Sequence, residues 1–431
     1  MNPPLATAAG FEPFGIPFEF MLFALTLLGV ATLHHRTLEV AVTGLVVIVL
    51  YKLAFTGFHE GSGFAGLVGH LGAEKVVLAN LCGLLLGFAL LSRHFEESHV
   101  PAKLPDYLPD DWRGGFALLV MVFVLSSFLD NIAAALIGGT VAATVFRHKV
   151  HIGYVAALVA ASNAGGSGSV VGDTTTTMMW IDGVNPLDVV HAYVAAGVAL
   201  IVCGVPAALQ QHAHSPIVRQ SSAYLHVDWS RVAIVAVILL AAIAVNIITN
   251  VRFPAYSDRF PFLGAAVWLA ILVTATWRRP DWSVMPATLR GTVFLLSLVL
   301  AASMMPVERL PAASWATALG LGFVSAVFDN IPLTKLALEQ GGYDWGVLAY
   351  AVGFGGSMIW FGSSAGVAIT NLFPEARSVA GWLRGGWHVA VAYVAGFAAV
   401  MLVMGWHPHP QHKGGPANET PASQATLRGT P

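Results

Sequence analysis

Charged side chains are scarce in this sequence. Asp, Glu, Lys and Arg make up only 10% of its 431 residues, whereas 56% of the residues are hydrophobic. Soluble chains contain about 25% charged residues, so this chain has too few to cover the surface of a water-soluble protein of its length. A lipid bilayer covers an apolar surface without charges. We therefore predict an integral membrane protein.

Three further shortages exclude other classes of protein. The 21 basic and 23 acidic residues leave almost no net charge, and nucleic-acid binding requires a basic surface. The two cysteines, Cys82 and Cys203, each lie inside an apolar run, which indicates small core residues rather than a disulfide or a metal pair. The first 16 residues contain no Lys or Arg, so we expect the first apolar run to be a retained span rather than a signal peptide.

Apolar runs long enough to cross a bilayer recur along the chain. A spanning helix needs roughly 20 apolar residues, and eight runs approach that length without interruption. We predict plain transmembrane helices near residues 17–33, 38–56, 76–91, 187–209, 232–249, 262–277, 291–305 and 387–405.

Two further apolar stretches are interrupted by acidic residues. Leu-Asp-Asn interrupts 114–146, and Phe-Asp-Asn interrupts 314–339. Each half contains about 10 to 15 residues, which at about 1.5 Å per residue reach only midway through a hydrocarbon core of about 30 Å. Each stretch is therefore predicted to be a re-entrant hairpin that enters and leaves the membrane on one side.

Glycine clusters interrupt the last two apolar stretches. The run Asn163-Ala-Gly-Gly-Ser-Gly-Ser lies within 153–181, and Gly353-Phe-Gly-Gly-Ser lies within 345–371. Glycine is a poor helix former, so both stretches are predicted to be broken transmembrane helices.

The distribution of basic residues orients these spans. With the N-terminus outside, the predicted inner loops contain most of the loop arginines and lysines, whereas Arg252, Arg259 and Arg309 remain outside. This asymmetry is what the positive-inside rule requires. It holds only if 114–146 returns to the inside and 314–339 returns to the outside.

Two halves of opposite orientation follow from this topology. Residues 1–209 and 230–406 each contain three spans, a hairpin, a broken helix and one more span. Inverted repeats with broken helices are typical of secondary transporters. The fold class predicted is an all-α polytopic membrane protein with two inverted-topology repeats, joined by a cytoplasmic linker at 210–229 and followed by a disordered tail at 407–431.

Short motifs repeat between the halves. Asp130-Asn131-Ile132 recurs as Asp329-Asn330-Ile331. Gly165-Gly166-Ser167 followed by Gly172 recurs at the same spacing as Gly355-Gly356-Ser357 followed by Gly362. Chance does not readily produce both matches in the same order.

The acidic residues at these breaks indicate a cation site. Ionisable residues at membrane depth are functional candidates. Asp130 and Asp329 lie at the predicted hairpin tips, and Asp173 is followed by four threonines. Hard cations such as sodium prefer oxygen ligands. Burial also favours the protonated form of a carboxylate, so the same group binds either a proton or a cation, and competition between them is a mechanism for exchange.

Structural explanations for the same residues are available. The Asp-Asn pairs are good helix N-caps, and capping does not exclude ion binding. Thr176 and Thr177 are as readily explained by hydrogen bonds to the backbone as by contact with a substrate. Glycine pairs also allow helices to pack closely in membranes.

The motifs resemble those of the ion transporter superfamily, and most closely the NhaD-type sodium/proton antiporters. The resemblance covers roughly residues 17–405. It rests on Leu129-Asp130-Asn131-Ile132, on Ser162 to Gly166 and Gly172 to Thr176, on Phe328 to Leu333, on Gly355 to Met358 and on Gly362 to Val367. It implies a scaffold domain, a transport domain, dimers formed through the scaffold and an elevator-like movement of the transport domain.

Related families carry citrate or dicarboxylates, and these are the alternative substrates. The dicarboxylate carriers typically have Ser-Asn-Thr where this chain has Asp-Asn. A carboxylate beside an anionic substrate would repel it, so three acids favour a cation. Lys335 is unexpected so close to Asp329; it either modulates the acids or serves as the counter-charge of an anion. A membrane enzyme is disfavoured because no His-Glu-x-x-His motif is present.

We therefore predict an antiporter that exchanges sodium or lithium for protons, with sodium bound at Asp130, Asp173 and Asp329. The expected partners are membrane lipid, the cation and a second copy of the chain, with no nucleic acid and no cofactor, and the expected location is a bacterial inner membrane. Lys335 is predicted to modulate the site. The predicted cation and proton site consists of Asp130, Asn131, Ser162, Asn163, Asp173, Thr174, Thr175, Asp329, Asn330, Ser357, Ser363 and Ser364.

Overall fold

The regular structure of this protein is helical. A computed structural model describes residues 11–33, 36–217, 226–253, 256 and 259–409. Over these residues no strand occurs, and the only extended pairing is an isolated bridge between Phe58 and Gly61. The all-α prediction is confirmed for them. The predicted tail from residue 410 onward and residues 218–225 of the predicted linker lie outside the described residues.

The helices of the two halves follow one another in a similar order. The first half contains α1 (Phe18–Thr32), α2 (Thr37–Tyr51), α3 (Gly63–Glu97), α4 (Val100–Lys103), α5 (Trp112–Ser126), α6 (Asn131–Val145), α7 (Ile152–Ser167), α8 (Thr174–Ile181), α9 (Leu187–Val190) and α10 (Ala192–His214). The second half contains α11 (Trp229–Arg252), α12 (Phe262–Thr274), α13 (Met285–Ser303), α14 (Trp315–Ser325), α15 (Asn330–Gln340), α16 (Trp345–Gly355), α17 (Ser364–Ile369), α18 (Val379–Gly385) and α19 (Trp387–Val403).

Several of these helices are long and apolar enough to cross a bilayer. Within the described residues there are five such helices, or six if the bent pair of α18 and α19 forms one span. The longest, α3, has 35 residues, whereas the hydropathy pattern predicts only 76–91. Its first turns contain His70, Glu74 and Lys75, which lower the hydropathy without breaking the helix.

The α5–α6 and α14–α15 pairs are helical hairpins. The loop before α5 and the end of α6 lie near each other, because Ile217 reaches Gly114 and the Ser215 hydroxyl donates to the carbonyl of Phe146. The ends of the second pair are joined directly, since the Gln340 amide donates to the carbonyl of Pro311 at 2.7 Å. Each hairpin therefore begins and ends at one place.

Helix α10 connects the open ends of the two hairpins. Near its start, His191 Nε2 lies 2.6 Å from Asp344 Oδ1, just after the second hairpin. Near its end, the Gln211 amide donates to the carbonyl of Lys149, just after the first hairpin. A helix of 23 residues is about 35 Å long, so α10 spans the distance between these two groups of residues.

Close contacts of backbone fix each broken helix against its hairpin. A side chain at Gly165 in α7 would collide with the carbonyl of Phe123 in α5, and one at Gly355 in α16 would collide with the carbonyl of Gly322 in α14. Only glycine allows this approach. The two motifs that repeat in the sequence thus make corresponding contacts in the two halves.

The helices form two sets. We call α1, α2, α3, α11, α12 and α13 the panel, because they pack on one another. We call α5–α8, α10, α14–α17 and α19 the core set, in which α7 and α16 are almost completely buried. The panel contacts the core set mainly through α3 and α13, which lie against α6, α8 and α15. This boundary contains the candidate site.

Candidate functional site

Four helices begin at the same place in the interior, and each begins with a polar cap. Asp130 caps α6, Asp173 caps α8, Asp329 caps α15 and Ser363 caps α17. Their side chains accept from the backbone N–H groups two or three residues ahead, at 3.0 to 3.4 Å. The structural role considered for the Asp-Asn pairs is therefore real.

After capping, the three carboxylates differ in the further hydrogen bonds that their oxygens accept. Asp329 Oδ1 accepts from the backbone of its own helix, and Oδ2 accepts from the Ser364 hydroxyl at 3.0 Å. Asp130 Oδ2 accepts from the N–H of Ile132. Within the described residues, no cationic side chain forms an ion pair with Asp130, Asp173 or Asp329. The charge of these acids is thus not neutralised by the protein.

A network of side-chain amides joins the two halves beside Asp173. The Asn131 amide donates to Asn163 Oδ1 at 3.0 Å and to Asp173 Oδ1 at 3.1 Å. The Asn163 amide donates to Ser357 Oγ at 2.9 Å and to Ser363 Oγ at 3.1 Å. All five residues are buried. These contacts bring five of the predicted site residues together.

Two buried side-chain oxygens at this network have no hydrogen-bond partner among the described residues. Asp173 is only 2% exposed, and its Oδ2 forms no hydrogen bond to any residue that the structure describes. The hydroxyl of Thr175, one turn into α8, is likewise buried and without a partner among those residues. An unpaired buried carboxylate oxygen is costly. A bound proton or cation would satisfy it.

A cavity of about 470 Å³ reaches this place from one side. Its inner end is lined by Asp130, Asn131, Asp173, Thr174, Thr177, Asn330 and Ser364. Its walls are apolar and come mostly from the panel, with Leu81, Leu84, Leu85, Phe88 and Leu295 among them. Its other end lies beside Arg93 and Glu96, which are both partly exposed. Asp130 and Asp173 are therefore at the end of a passage between the panel and the core set.

The remaining predicted residues have structural contacts. Ser162 donates to the carbonyl of Val159 inside α7 rather than to the network. Thr176 and Thr177 donate to the carbonyls of Ser169 and Val170, at 2.6 and 3.0 Å. These two threonines hold the loop between α7 and α8 in place.

The expectation that Lys335 reaches Asp329 or Asp173 is wrong. Its ammonium lies 3.0 Å from Glu74 Oε2 in α3 and 2.6 Å from Glu339 Oε1, one turn further along α15. The physical reason is that α15 carries Lys335 toward the panel, where the polar start of α3 supplies a carboxylate. Lys335 is buried, so the pair bridges the panel and the core set instead of facing the acids.

We expect Lys335→Gln to destabilise the protein by about 3 kcal/mol, the lower end of the range for breaking a buried ion pair. Glu74→Gln should cost less, because Lys335 keeps Glu339 as a partner. Thermal unfolding of the detergent-solubilised variants measures both effects. Equal losses, or a larger loss for Glu74→Gln, would contradict this description of the pair.

Two residues that the sequence did not indicate also support the site. Glu74 has no motif around it, and only the packing of α3 on α15 reveals its partner. Trp382 in α18 is fully buried and donates from its indole N–H to the carbonyl of Ser357 at 3.1 Å. This bond fixes the backbone that presents the Ser357 hydroxyl to Asn163.

Comparisons with known proteins identify a family and several relatives. The model of a family described as citrate transporter matches residues 20–355. Sodium/proton antiporter 1 of Arabidopsis thaliana is 27% identical over 342 residues, which are 69% of this chain and 56% of that protein. Sodium/proton antiporter 2 of the same plant is 24% identical over 335 residues, covering 65% of this chain and 74% of that protein.

A bacterial relative is also similar. The Na(+)/H(+) antiporter NhaD of Vibrio parahaemolyticus is 26% identical over 343 residues, which are 67% of this chain and 79% of that protein. The match to Sodium/proton antiporter 1 spans little more than half of the length of that protein.

Proposed function

Since this chain belongs to the citrate transporter family and is an integral, multi-pass membrane protein, we propose that it exchanges sodium or lithium ions for protons across the membrane by alternating access. The relatives named as sodium/proton antiporters support this choice of substrate. The proposal concerns the whole activity of the protein, including its direction and its mechanism.

One observation carries the proposal: Asp173 Oδ2 is buried and has no partner among the described residues, at the end of a passage that also exposes Asp130. A carboxylate at low dielectric is stable when it holds a proton or a cation, and costly when it holds neither. Binding of one therefore excludes the other. An obligatory exchange results if the site crosses the membrane only when it is occupied.

The steps of such an exchange use residues that line the cavity. A sodium ion that enters the cavity displaces the proton of Asp173, and the proton leaves by the same passage. Asn131 holds Asp173 Oδ1 in place, so that Oδ2 faces the ion. After the site is exposed to the other side, a proton displaces the sodium ion. The protonated site then returns to the first side.

A second candidate substrate is citrate or a related anion, because the matching family model carries that description. The cavity of about 470 Å³ has room for such a molecule. Its polar end, however, contains carboxylates that pair with no cationic side chain among the described residues, and Lys335 is already paired with Glu74 and Glu339. Repulsion between an anion and these acids is strong at low dielectric. This disfavours the anion.

The deciding experiment uses everted membrane vesicles that contain the protein. If the proposal is right, adding sodium to respiring vesicles collapses the pH gradient, and labelled citrate is not taken up. Citrate uptake without any sodium-dependent change in the gradient would replace the proposal with the second candidate. Vesicles without the protein are the control for both measurements.

We also propose that the two halves form inverted repeats, with the N-terminus outside. The cap residues support this, because the backbone of Asp130 (φ −52°, ψ 140°) matches that of Asp329 (φ −53°, ψ 140°). Contacts of α10 place the open ends of the two hairpins at its opposite ends. Arg309, expected outside, pairs with Glu12 near the N-terminus at 2.7 Å.

Accessibility of introduced cysteines tests this topology. In a variant without Cys82 and Cys203, we expect cysteines at Arg113 and Lys149 to react only with reagent on the inner side. Cysteines at Ala312 and Gln340 should react only from the outer side, because the second hairpin opens there. Opposite labelling of Arg113 and Lys149 would contradict a re-entrant first hairpin.

An elevator-like movement of the core set against the panel is part of the proposal. The cavity and the Lys335–Glu74 pair both lie at the boundary between the two sets. A movement along this boundary would expose the acids to the other side and break the ion pair. We further propose that the panel mediates a homodimer, which cross-linking of the purified protein would detect.

A further inference from the structure

The two halves supply unequal residues around Asp173. At the offset of 190 residues that relates the glycine motifs, Asp173 corresponds to Ser363, and Asn163 corresponds to Gly353. One half thus contributes an amide and a carboxylate, and the other contributes a hydroxyl and no side chain. Gly353 lies inside α16 and is completely buried.

Gly353 faces the unpartnered oxygen directly. A Cβ at this position would lie 3.3 Å from Asp173 Oδ2 and 3.7 Å from the Cβ of Ser167. These are side-chain atoms. The glycines at Gly165 and Gly355 differ, because there a Cβ would collide with backbone carbonyls of a neighbouring helix. The space beside Oδ2 exists only because residue 353 has no side chain.

The helix itself does not require glycine at this position. Gly353 lies in the last turn of α16, two residues before its end, and has no positive φ that would exclude other residues. Glycine is a poor helix former compared with alanine, which is a cost in stability. Neither backbone geometry nor helix packing explains this cost, whereas the space beside Asp173 Oδ2 does.

We propose that Gly353 limits the size of the cation held against Asp173, and so determines selectivity among lithium, sodium and potassium. This inference rests on the proposed cation/proton exchange. A methyl group at 353 narrows the space next to Oδ2 and favours the smallest ion. Removing the side chain of Ser167, on the other wall of the same space, enlarges it and admits a larger ion.

The test compares Gly353→Ala, Ser167→Gly and the control Gly320→Ala in everted vesicles. Gly320 is a helical glycine of the core set with open space around it, so its substitution changes helix propensity alone. For Gly353→Ala, the ratio of the apparent sodium constant to the lithium constant should rise at least about tenfold, a difference of about 1.4 kcal/mol. Ser167→Gly should instead increase exchange with potassium relative to sodium.

The outcomes separate this inference from the proposed function. If the wild-type protein exchanges sodium for protons but both variants keep its ion ratios, Gly353 does not limit ion size. If the wild type shows no cation-dependent exchange at all, the proposed function fails. Should Gly353→Ala not accumulate in the membrane, Ser167→Gly alone decides, because an unchanged potassium-to-sodium ratio would overturn the inference. Equal changes in Gly320→Ala would also overturn it.

Discussion

Asp173→Asn should abolish sodium/proton exchange while the protein still folds and reaches the membrane. Asn caps a helix about as well as Asp, so α8 keeps its start and Oδ1 keeps an equivalent acceptor. The change removes the only buried carboxylate oxygen of the cluster that lacks a partner among the described residues. A neutral amide does not exchange a proton for a cation. Any remaining sodium flux should therefore not depend on pH.

Fluorescence dequenching in everted vesicles, measured over a range of pH, tests this expectation. Asp111→Asn is the matched control, because Asp111 caps α5 in the same way but is half-exposed and does not line the cavity. It should exchange like the wild type. Normal, pH-dependent exchange in Asp173→Asn would remove the basis of the proposed mechanism.

Asp130→Asn should raise the apparent sodium constant more than Asp329→Asn does. The two residues have the same backbone conformation and the same type of capping bond, so a difference between the variants does not come from capping. Asp130 lines the cavity, whereas both oxygens of Asp329 already accept hydrogen bonds, one of them from Ser364. A contact to a charged group contributes about 1.5–3 kcal/mol, which corresponds to roughly a 10- to 100-fold increase for Asp130→Asn.

Apparent constants from dequenching at several sodium concentrations measure this difference, with protein amounts determined in the same vesicles. Equal apparent sodium constants for the two variants would mean that Asp130 and Asp329 contribute equally to sodium binding. Wild-type constants in both would mean that these two aspartates are caps only.

Much of this architecture can be predicted from the sequence, because apolar runs indicate membrane helices and the polar residues within them indicate breaks. The breaks predicted at 129–131 and at 328–330 coincide with the caps Asp130 and Asp329. The predicted resemblance to NhaD-type antiporters is confirmed by the family match and the named relatives. Local signals of this kind depend on residues close together in the chain.

Contacts between helices that are distant in the chain cannot be predicted from the sequence in the same way. The partner of Lys335 is Glu74, 261 residues away, and nothing near either residue indicates the other. The hydropathy pattern underestimates the length of α3, because hydropathy indicates only the apolar part of a helix and not its polar continuation. Gly353 belongs to a glycine-rich segment. The sequence does not distinguish a glycine that breaks a helix from one that leaves space beside a carboxylate, because the difference depends on neighbours from other helices.

The cavity between the panel and the core set has an electrical consequence. Water that fills it brings the potential of one bulk phase to the inner end of the passage, so little of the transmembrane voltage falls between that phase and Asp130. Most of the voltage then falls across the layer that separates the acids from the opposite side, where each elementary charge moved is worth about 2.3 kcal/mol per 100 mV. In the proposed exchange, loading from the open side is then nearly independent of membrane potential, and any effect of the potential falls chiefly on the step that reorients the occupied site.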